Sequence, residues 1–318
     1  MADFTITVVG TGVIGTSLGL ALKQTEEPLR LVAHDKDLAI AKNAVKSGAF
    51  DKAEWNLINA CEQASLIVLA IPLNGIRPTL EAIGPYLQKG AVVTDVCRSK
   101  TPVLAAAQTL LPEHVHFVGG DPIVYPLNPG HENATPDLFR QCLYCLTPAV
   151  SAHEEAVQLL VNFVNLVGGT PFFLDAEEHD GLVAATEYLP AMLSAALVQT
   201  LANQASWRET RKLAGRLFEQ VSAGVEGNPD GLKDGVLSHR ATILAWLDQY
   251  LTQLGELRSL IAEADETGEA LAQAFDQAVV ERHNWLTDAR HHRLADNEAL
   301  TAPVETTGFL RRLIGFGR

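Results

Sequence analysis

The chain has 318 residues, with 24 Lys+Arg against 38 Asp+Glu and a formal net charge of −14. That length suits two domains with sizeable cores, and the acidic balance gives nucleic-acid binding no electrostatic support. No charged leader with an apolar core opens the chain, and no apolar run reaches membrane-spanning length, so a cytoplasmic protein without membrane contact is expected.

The alternating, β-branched run ending at Val9 predicts a first strand, and the apolar 3.6-residue pattern from Gly15 to Leu22 predicts a helix. Between them stand Gly10, Gly12 and Gly15 in the order Gly-x-Gly-x-x-Gly. Such a loop needs its first glycine for the turn, its second for close approach of a pyrophosphate and its third for helix–strand packing. The helix N-terminus adds unpaired N–H groups that favour phosphate. A second strand, Leu29 to His34, ends at Asp35, twenty residues after Gly15. An acid there accepts hydrogen bonds from the adenosine ribose and repels a 2′-phosphate, which favours NAD over NADP; the alternative is a plain turn acid. The continuous apolar run Leu66 to Ile71 reads as a strand buried on both faces, and Ala91 to Asp95 as the next. Gly10, Gly12, Val13, Ile14, Gly15 and Asp35, with Pro72 and Asp95 beyond the third and fourth strands, are the candidate cofactor-binding residues.

Further along, Ala39–Gly48, Ile76–Leu87 and Thr101–Leu111 read as helices, and Val115–Gly120 as a strand. The segment from Asp121 to Pro136 is rich in proline, glycine and asparagine and reads as a loop at the carboxyl edge of the sheet, where ligands bind in this architecture. Strand Leu143–Thr147, helix Glu154–Val167 and strand Thr170–Leu174 complete a first domain of residues 1–175. From Ala176 the pattern is helical only, giving a second domain of residues 176–290. Glu177–Gln204 is long and mostly apolar, with a kink or a break at Pro190, and Ser206–Ala223 follows. A turn at Gly227–Gly231 precedes a helix with apolar residues at Ile243, Leu247, Tyr250, Leu254, Leu257 and Ile261. Steps of four and three make this a narrow seam, equally suited to intrachain packing and to a dimer interface. Glu269–Leu286 is a last helix, and residues 291–318 form a tail. Its Phe309, Leu310, Leu313 and Ile314 would share one helix face, suited to docking on its own domain, to disorder or to a surface contact.

The cysteines Cys61, Cys97, Cys142 and Cys145 suit a reducing compartment. Cys142 and Cys145 have CxxC spacing, but in a strand they face opposite sides, so buried thiols are expected rather than a redox or zinc pair. His283, His291 and His292 lie in a charged stretch and read as solvated helix surface, and no set of ligands has metal spacing.

With these residues in place, the chain resembles the prephenate and arogenate dehydrogenase family of tyrosine biosynthesis over about residues 5–262. Val93-Thr94-Asp95-Val96 with Lys100 is similar to the family's Asp-Val-Gly-Ser-x-Lys segment, and Phe117-Val118-Gly119-Gly120, Pro122, Gly130 and Phe139 follow its next block. Glu178-His179-Asp180, Leu189-Pro190 and Trp207-Arg208-Glu209-Thr210 resemble its helical part. Departures fall on the chemistry. The family's histidine before the proline of the second block, which accepts the ring-hydroxyl proton, stands as Asp121. The family's Ser-His before Leu-Pro stands as Glu187-Tyr188 and its following His as Ala191; the serine of the first segment is Arg98. The carboxylate-holding arginine aligns with Lys212, beside Arg211.

The resemblance implies a doubly wound α/β nucleotide-binding domain followed by an all-helical substrate and dimerisation domain, using NAD to oxidise and decarboxylate a small anionic substrate, as a homodimer. Candidate catalytic residues are Asp121, His179, Tyr188 and Lys100; candidate substrate-binding residues are Arg98, Arg208, Arg211 and Lys212. A carboxylate in a partly dry site can have its pKa raised until it serves as general base, which would let Asp121 replace the histidine; the plainer role is a turn cap beside Pro122. His179 equally fits a structural helix-start residue. Two other functions stay open: a divergent dehydrogenase or imine-type reductase acting on another small acid, and a non-catalytic NAD-binding regulatory protein.

Overall fold

The structure, a computed structural model, describes residues 4–124, 128, 130–149, 152–226 and 229–290. The expected opening appears as strand β1 (Phe4–Val9) and helix α1 (Val13–Lys23), followed by β2 (Leu29–His34) and α2 (Leu38–Lys46). A short strand β3 (Lys52–Ala53) and helix α3 (Leu57–Cys61), too brief to stand out in the sequence pattern, lead to β4 (Leu66–Leu69), α4 (Leu73–Ile83), β5 (Val92–Asp95) and α5 (Thr101–Leu110). The unit closes with β6 (His116–Pro122), β7 (Leu143–Pro148), α6 (Glu154–Leu166) and β8 (Thr170–Phe173). One eight-stranded sheet results, ordered β3-β2-β1-β4-β5-β6-β7-β8. Its order reverses on either side of β1, the switch point that places a ligand crevice at the strands' carboxyl ends.

Pleating explains the two cores. Ile6 and Val8 of β1 with Leu66 and Val68 of β4 point to one face, where α1, α2 and α6 contribute Leu18, Ala44 and Phe163. Val9, Ile67, Leu69 and Val93 point to the other, against Ile76 and Leu80 of α4 and Val103 and Ala107 of α5. Strands buried on both faces carry the continuous apolar runs seen in the sequence; each such Leu, Ile or Val contributes about 1.5–3 kcal/mol.

The sheet departs from all-parallel at one place. β6 and β7 pair antiparallel, with Asp121 opposite Cys145 and Gly119 opposite Thr147, whereas β7 and β8 are parallel. A parallel return needs a crossover of a dozen or more residues, usually a helix. Between β6 and β7 the described residues hold only the short 3₁₀ turn His131–Asn133, so the chain turns back alongside itself. The loop read from the sequence over Asp121 to Pro136 starts later than expected, because Asp121 and Pro122 still pair in β6; residues 125–127 and 129 lie outside the described residues.

The second compact unit starts at Gly181, a few residues beyond the boundary expected at 175/176. The chain enters it along α7 (Ala176–Val183), one π-helical turn at Ala184–Tyr188, and α8 (Leu189–Ala202). The kink or break expected at Pro190 takes the form of this π turn just before it, and the helical stretch continues from Ala176 to Ala202. The continuous helix expected over Ser206–Ala223 is instead two, α9 (Trp207–Thr210) and α10 (Arg216–Ser222), because Gly215 is extended between them (φ −112°, ψ −163°). Next come α11 (Pro229–Ser238), α12 (Arg240–Ala262) and α13 (Glu269–Arg290). Pro229 opens α11, a helix that the turn-rich sequence around it conceals; part of the predicted turn and the whole tail lie outside the described residues.

Along α12 only Ile243 of the predicted seam is buried, while Leu254 and Ile261 stay 48% and 63% exposed. Leu213, Leu217 and Trp285 are exposed as well, so this unit leaves much apolar surface uncovered within one chain. One expectation is corrected: the helical stretch Ala176–Ala202 is long and apolar enough, by length and composition, to cross a membrane. Its apolar residues are spread over segments that the sequence reading divided at Pro190, and the continuous helix joins them.

Candidate functional site

The glycine loop can be tested position by position. Gly10 has φ +95° and its N–H donates to the His34 carbonyl at 2.8 Å; a Cβ there would lie 2.3 Å from the Ala70 carbonyl oxygen. At Gly15 a Cβ would lie 1.9 Å from the Gly10 carbonyl oxygen. These two glycines are demanded by the protein's own packing. Gly12 is not, since a Cβ there would meet nothing within 4 Å. At the N-terminus of α1 a glycine without packing demand leaves the backbone open to close approach, as the pyrophosphate of a dinucleotide requires.

Asp35, just past β2, accepts the Thr11 N–H at 2.8 Å and the Thr11 hydroxyl at 3.2 Å through Oδ2, and the Asp37 N–H at 3.0 Å through Oδ1. The acid is thus pinned beside the loop, where a ribose would lie. Val13 and Ile14 open α1, Ile14 packing against the core, and Pro72 forms the exposed N-cap of α4.

Asp95 plays a different part. Its Oδ2 accepts the Cys97 N–H at 2.9 Å and the Lys100 ammonium at 2.5 Å, and its Oδ1 accepts the Gly120 N–H at 3.2 Å. Lys100 Nζ also donates to the Gly120 carbonyl at 2.6 Å. Both side chains are fully buried, so this pair fastens the end of β5 to β6. The sequence reading put Asp95 among cofactor contacts and Lys100 among catalytic groups; the structure occupies both with each other.

One strand position later stands Asp121, whose side chain is 1% exposed. Its Oδ2 lies 3.1 Å from Nε2 of the equally buried His179. The other ring nitrogen, Nδ1, lies 3.2 Å from Asp180 Oδ1. Asp180 in turn accepts the backbone N–H of Lys100 at 2.6 Å and of Thr101 at 2.9 Å, the N–H groups that open α5. For His179, burial works against the charged ring, but hydrogen bonds to Asp121 and Asp180 outweigh it and carry the pKa to about 10. Asp180 is held below its usual value: burial opposes this, and the His179 ring and the two N–H donors prevail.

Asp121 Oδ1 has no hydrogen-bond partner among the described residues; the Arg98 Nε stands 3.7 Å away, and Arg98 also donates to the Val124 carbonyl at 3.2 Å. Two further buried oxygens near this strand pair, Tyr144 Oη and Thr147 Oγ1, are likewise without partners. The cysteines are thiols. Cys145 stands opposite Asp121 on β7, and burial chiefly pushes Cys97 and Cys142 up, the latter to about 12. Among the described residues no group of three or more His, Cys, Asp or Glu side chains is arranged to hold a metal ion.

The first unit therefore brings together Arg98, Lys100, Asp121 and His179. Sequence reasoning missed Asp180 and Cys145 as neighbours of the histidine; the adjacency of His179 and Asp180 in the chain was the available signal. Tyr188, Arg208, Arg211 and Lys212 belong to the second unit or its entry. Tyr188 stacks on His239 with ring centroids 5.2 Å apart and packs against Gly235. Arg208, Arg211 and Lys212 are exposed, and Lys212 pairs with Glu209 at 2.5 Å.

Comparison with known proteins shows the family. Residues 18–172 match the family profile described as prephenate dehydrogenase, nucleotide-binding domain, and residues 175–277 match prephenate dehydrogenase, dimerization domain. The chain is 26% identical to a prephenate dehydrogenase of Bacillus subtilis over 263 residues, 82% of this chain and 71% of that one. It is 25% identical to a cyclohexadienyl dehydrogenase of Zymomonas mobilis over 286 residues, 89% of this chain and 96% of that one. The solved Synechocystis arogenate dehydrogenase superposes with a TM-score of 0.75 at 28% identity, covering 88% of this chain and 99% of that one. An Aquifex aeolicus prephenate dehydrogenase in complex with hydroxyphenyl propionate and NAD+ shares the fold, with a TM-score of 0.82 at 22% identity, covering 89% and 99%.

Proposed function

The chain belongs to the prephenate dehydrogenase family, and from that premise we propose an NAD-dependent oxidoreductase that oxidises and decarboxylates prephenate or arogenate. The observation that carries the reading is Asp121: a buried carboxylate at the end of β6 whose Oδ1 has no hydrogen-bond partner among the described residues and faces the Arg98 guanidinium at 3.7 Å, at the position that the sequence resemblance aligns with the family's proton acceptor.

NAD, when bound, accepts the hydride released from the substrate's C4 carbinol carbon. The chain's own residues do the rest. Gly12 leaves room for the pyrophosphate, α1 faces it with its N-terminus, and Asp35 takes the ribose hydroxyls. Asp121 Oδ1 accepts the proton of the C4 hydroxyl as the hydride leaves. The ring carboxylate then departs as carbon dioxide, and its bonding electrons complete the aromatic ring, so the step runs downhill. His179 holds the far oxygen of Asp121. Arg98 in the first unit, and Arg208, Arg211 and Lys212 in the second, are the candidate cations for the substrate's carboxylates. Tyr188 is a candidate proton donor in the second unit. The match to a dimerization domain and the apolar surface left exposed by that unit support a homodimer formed through its helices.

The test is NADH production by the purified protein with NAD and prephenate, with arogenate in parallel. Turnover with either acid supports the reading. Binding of NADH without turnover of either acid removes it and redirects the search to another small acid or to a regulatory role.

A further inference from the structure

The sequence offered Asp121 and His179 as separate candidates; the structure joins them to a third group. Asp180 is placed by α5, whose first two N–H groups both end on its carboxylate. A carboxylate at a helix N-terminus is held in favourable electrostatic surroundings. From there it fixes the ring of His179 through Nδ1, and Nε2 of that ring reaches Asp121 Oδ2. All three side chains are buried. The consequence is directional: one oxygen of Asp121 is engaged from behind, and the other has no hydrogen-bond partner among the described residues and faces only the Arg98 guanidinium at 3.7 Å.

We infer that Asp180 and His179 are positioning residues that tie the Asp121 carboxylate to the N-terminus of α5 and aim its Oδ1 at the substrate. This rests on Asp121 being the proton acceptor proposed above. The arrangement reverses the usual pairing, in which a carboxylate orients a histidine that does the proton transfer; here a carboxylate-held histidine orients a carboxylate. Because an imidazole bonded to carboxylates on both nitrogens must donate from both, the relay works only while the ring is charged. Two carboxylates favour that charge, Asp121 from β6 and Asp180 beside the ring on α7; the Arg98 cation next to Asp121 opposes it, and the Cys145 thiol on β7 stands opposite Asp121. The Lys100–Asp95 pair lies on the same strand ends but is closed on itself.

Two measurements on the full-length protein test this. The first is the pH titration of the His179 ring by NMR, with the signal identified through its loss in His179→Gln. In the wild type the ring should stay charged to about pH 10. In Asp180→Asn and in Asp121→Asn it should titrate at least about one unit lower, since each removes one anionic partner. A ring that titrates near its ordinary value in the wild type, or unmoved in Asp121→Asn, overturns the relay whether or not prephenate is turned over. The second is the alkaline limb of kcat in Asp180→Asn, where the amide still accepts an N–H from α5. A limb moved to lower pH, with KM for NAD kept within about twofold, is the expected result. A uniform fall in kcat with the limb unmoved would show a merely structural aspartate and refute the assignment.

Discussion

Replacing Gly12 and Gly15 separately by alanine should divide what the loop does for the fold from what it does for the cofactor. A Cβ at Gly15 would lie 1.9 Å from the Gly10 carbonyl oxygen and 3.2 Å from a Val8 methyl. Contact between such atoms relaxes near about 3.5 Å, so the start of α1 must retreat by roughly 1.5 Å or the Gly10 turn must open. Overpacking of this kind costs about 1–3 kcal/mol, which lowers Tm by several degrees in a domain this size. It also moves the helix N-terminus from its phosphate, and misplacement of about 1 Å is worth roughly a hundredfold. At Gly12 the same methyl meets no protein atom. If the pyrophosphate lies there as proposed, the methyl collides with it, so Tm should stay within about 1 °C while NADH affinity drops at least about tenfold, or ~1.4 kcal/mol. Thermal unfolding without ligand and fluorescence titration with NADH read the two effects independently. A Gly12→Ala protein that binds NADH as tightly as the wild type would refute the placement of the pyrophosphate.

Asp121→Asn should lower turnover by about 10²–10⁴-fold, the usual worth of a general base, with NADH affinity unchanged in the same titration; full activity would exclude Asp121 as the acceptor. Lys100→Met strands the buried Asp95 carboxylate and should destabilise by about 3–5 kcal/mol in urea unfolding. Lys23→Ala, which opens the half-exposed Lys23–Asp51 pair, should cost no more than about 1 kcal/mol in the same assay. The His179 pKa, raised to about 10 in the folded chain, has a stability signature. A raised histidine contributes fully below its unfolded value of about 6.5 and loses the contribution as pH climbs to the folded value. Unfolding free energy should therefore decline between about pH 6.5 and pH 10 in the wild type, and the decline should be shallower in His179→Gln. Asp35→Asn removes the charge facing the ribose and should narrow the preference for NAD over NADP, read as the ratio of their kcat/KM values.

What the sequence determined by itself was whatever depends on neighbours along the chain. The β-branched run into Gly10, the glycine spacing and the apolar runs at Leu66 and Ala91 specify strand, turn and helix locally, and together they specify a doubly wound nucleotide-binding unit. The resemblance added the order of the two units and pointed to Asp121 and His179. Short elements escaped because their signals are weak: β3 is two residues long, and α11 begins inside a turn-like Pro-Asp-Gly run. The antiparallel β7 was not legible because its apolar pattern is the same in either direction, and only the lack of a crossover helix decides between them. Tertiary structure alone decided which of the candidate side chains meet. Asp95 and Lys100 are five residues apart in sequence yet become a closed pair only because β6 brings Gly120 against them. Asp121 and His179 are 58 residues apart, and whether a carboxylate and an imidazole touch in a buried space is fixed by strand register and helix placement. No spacing rule along the chain encodes that contact.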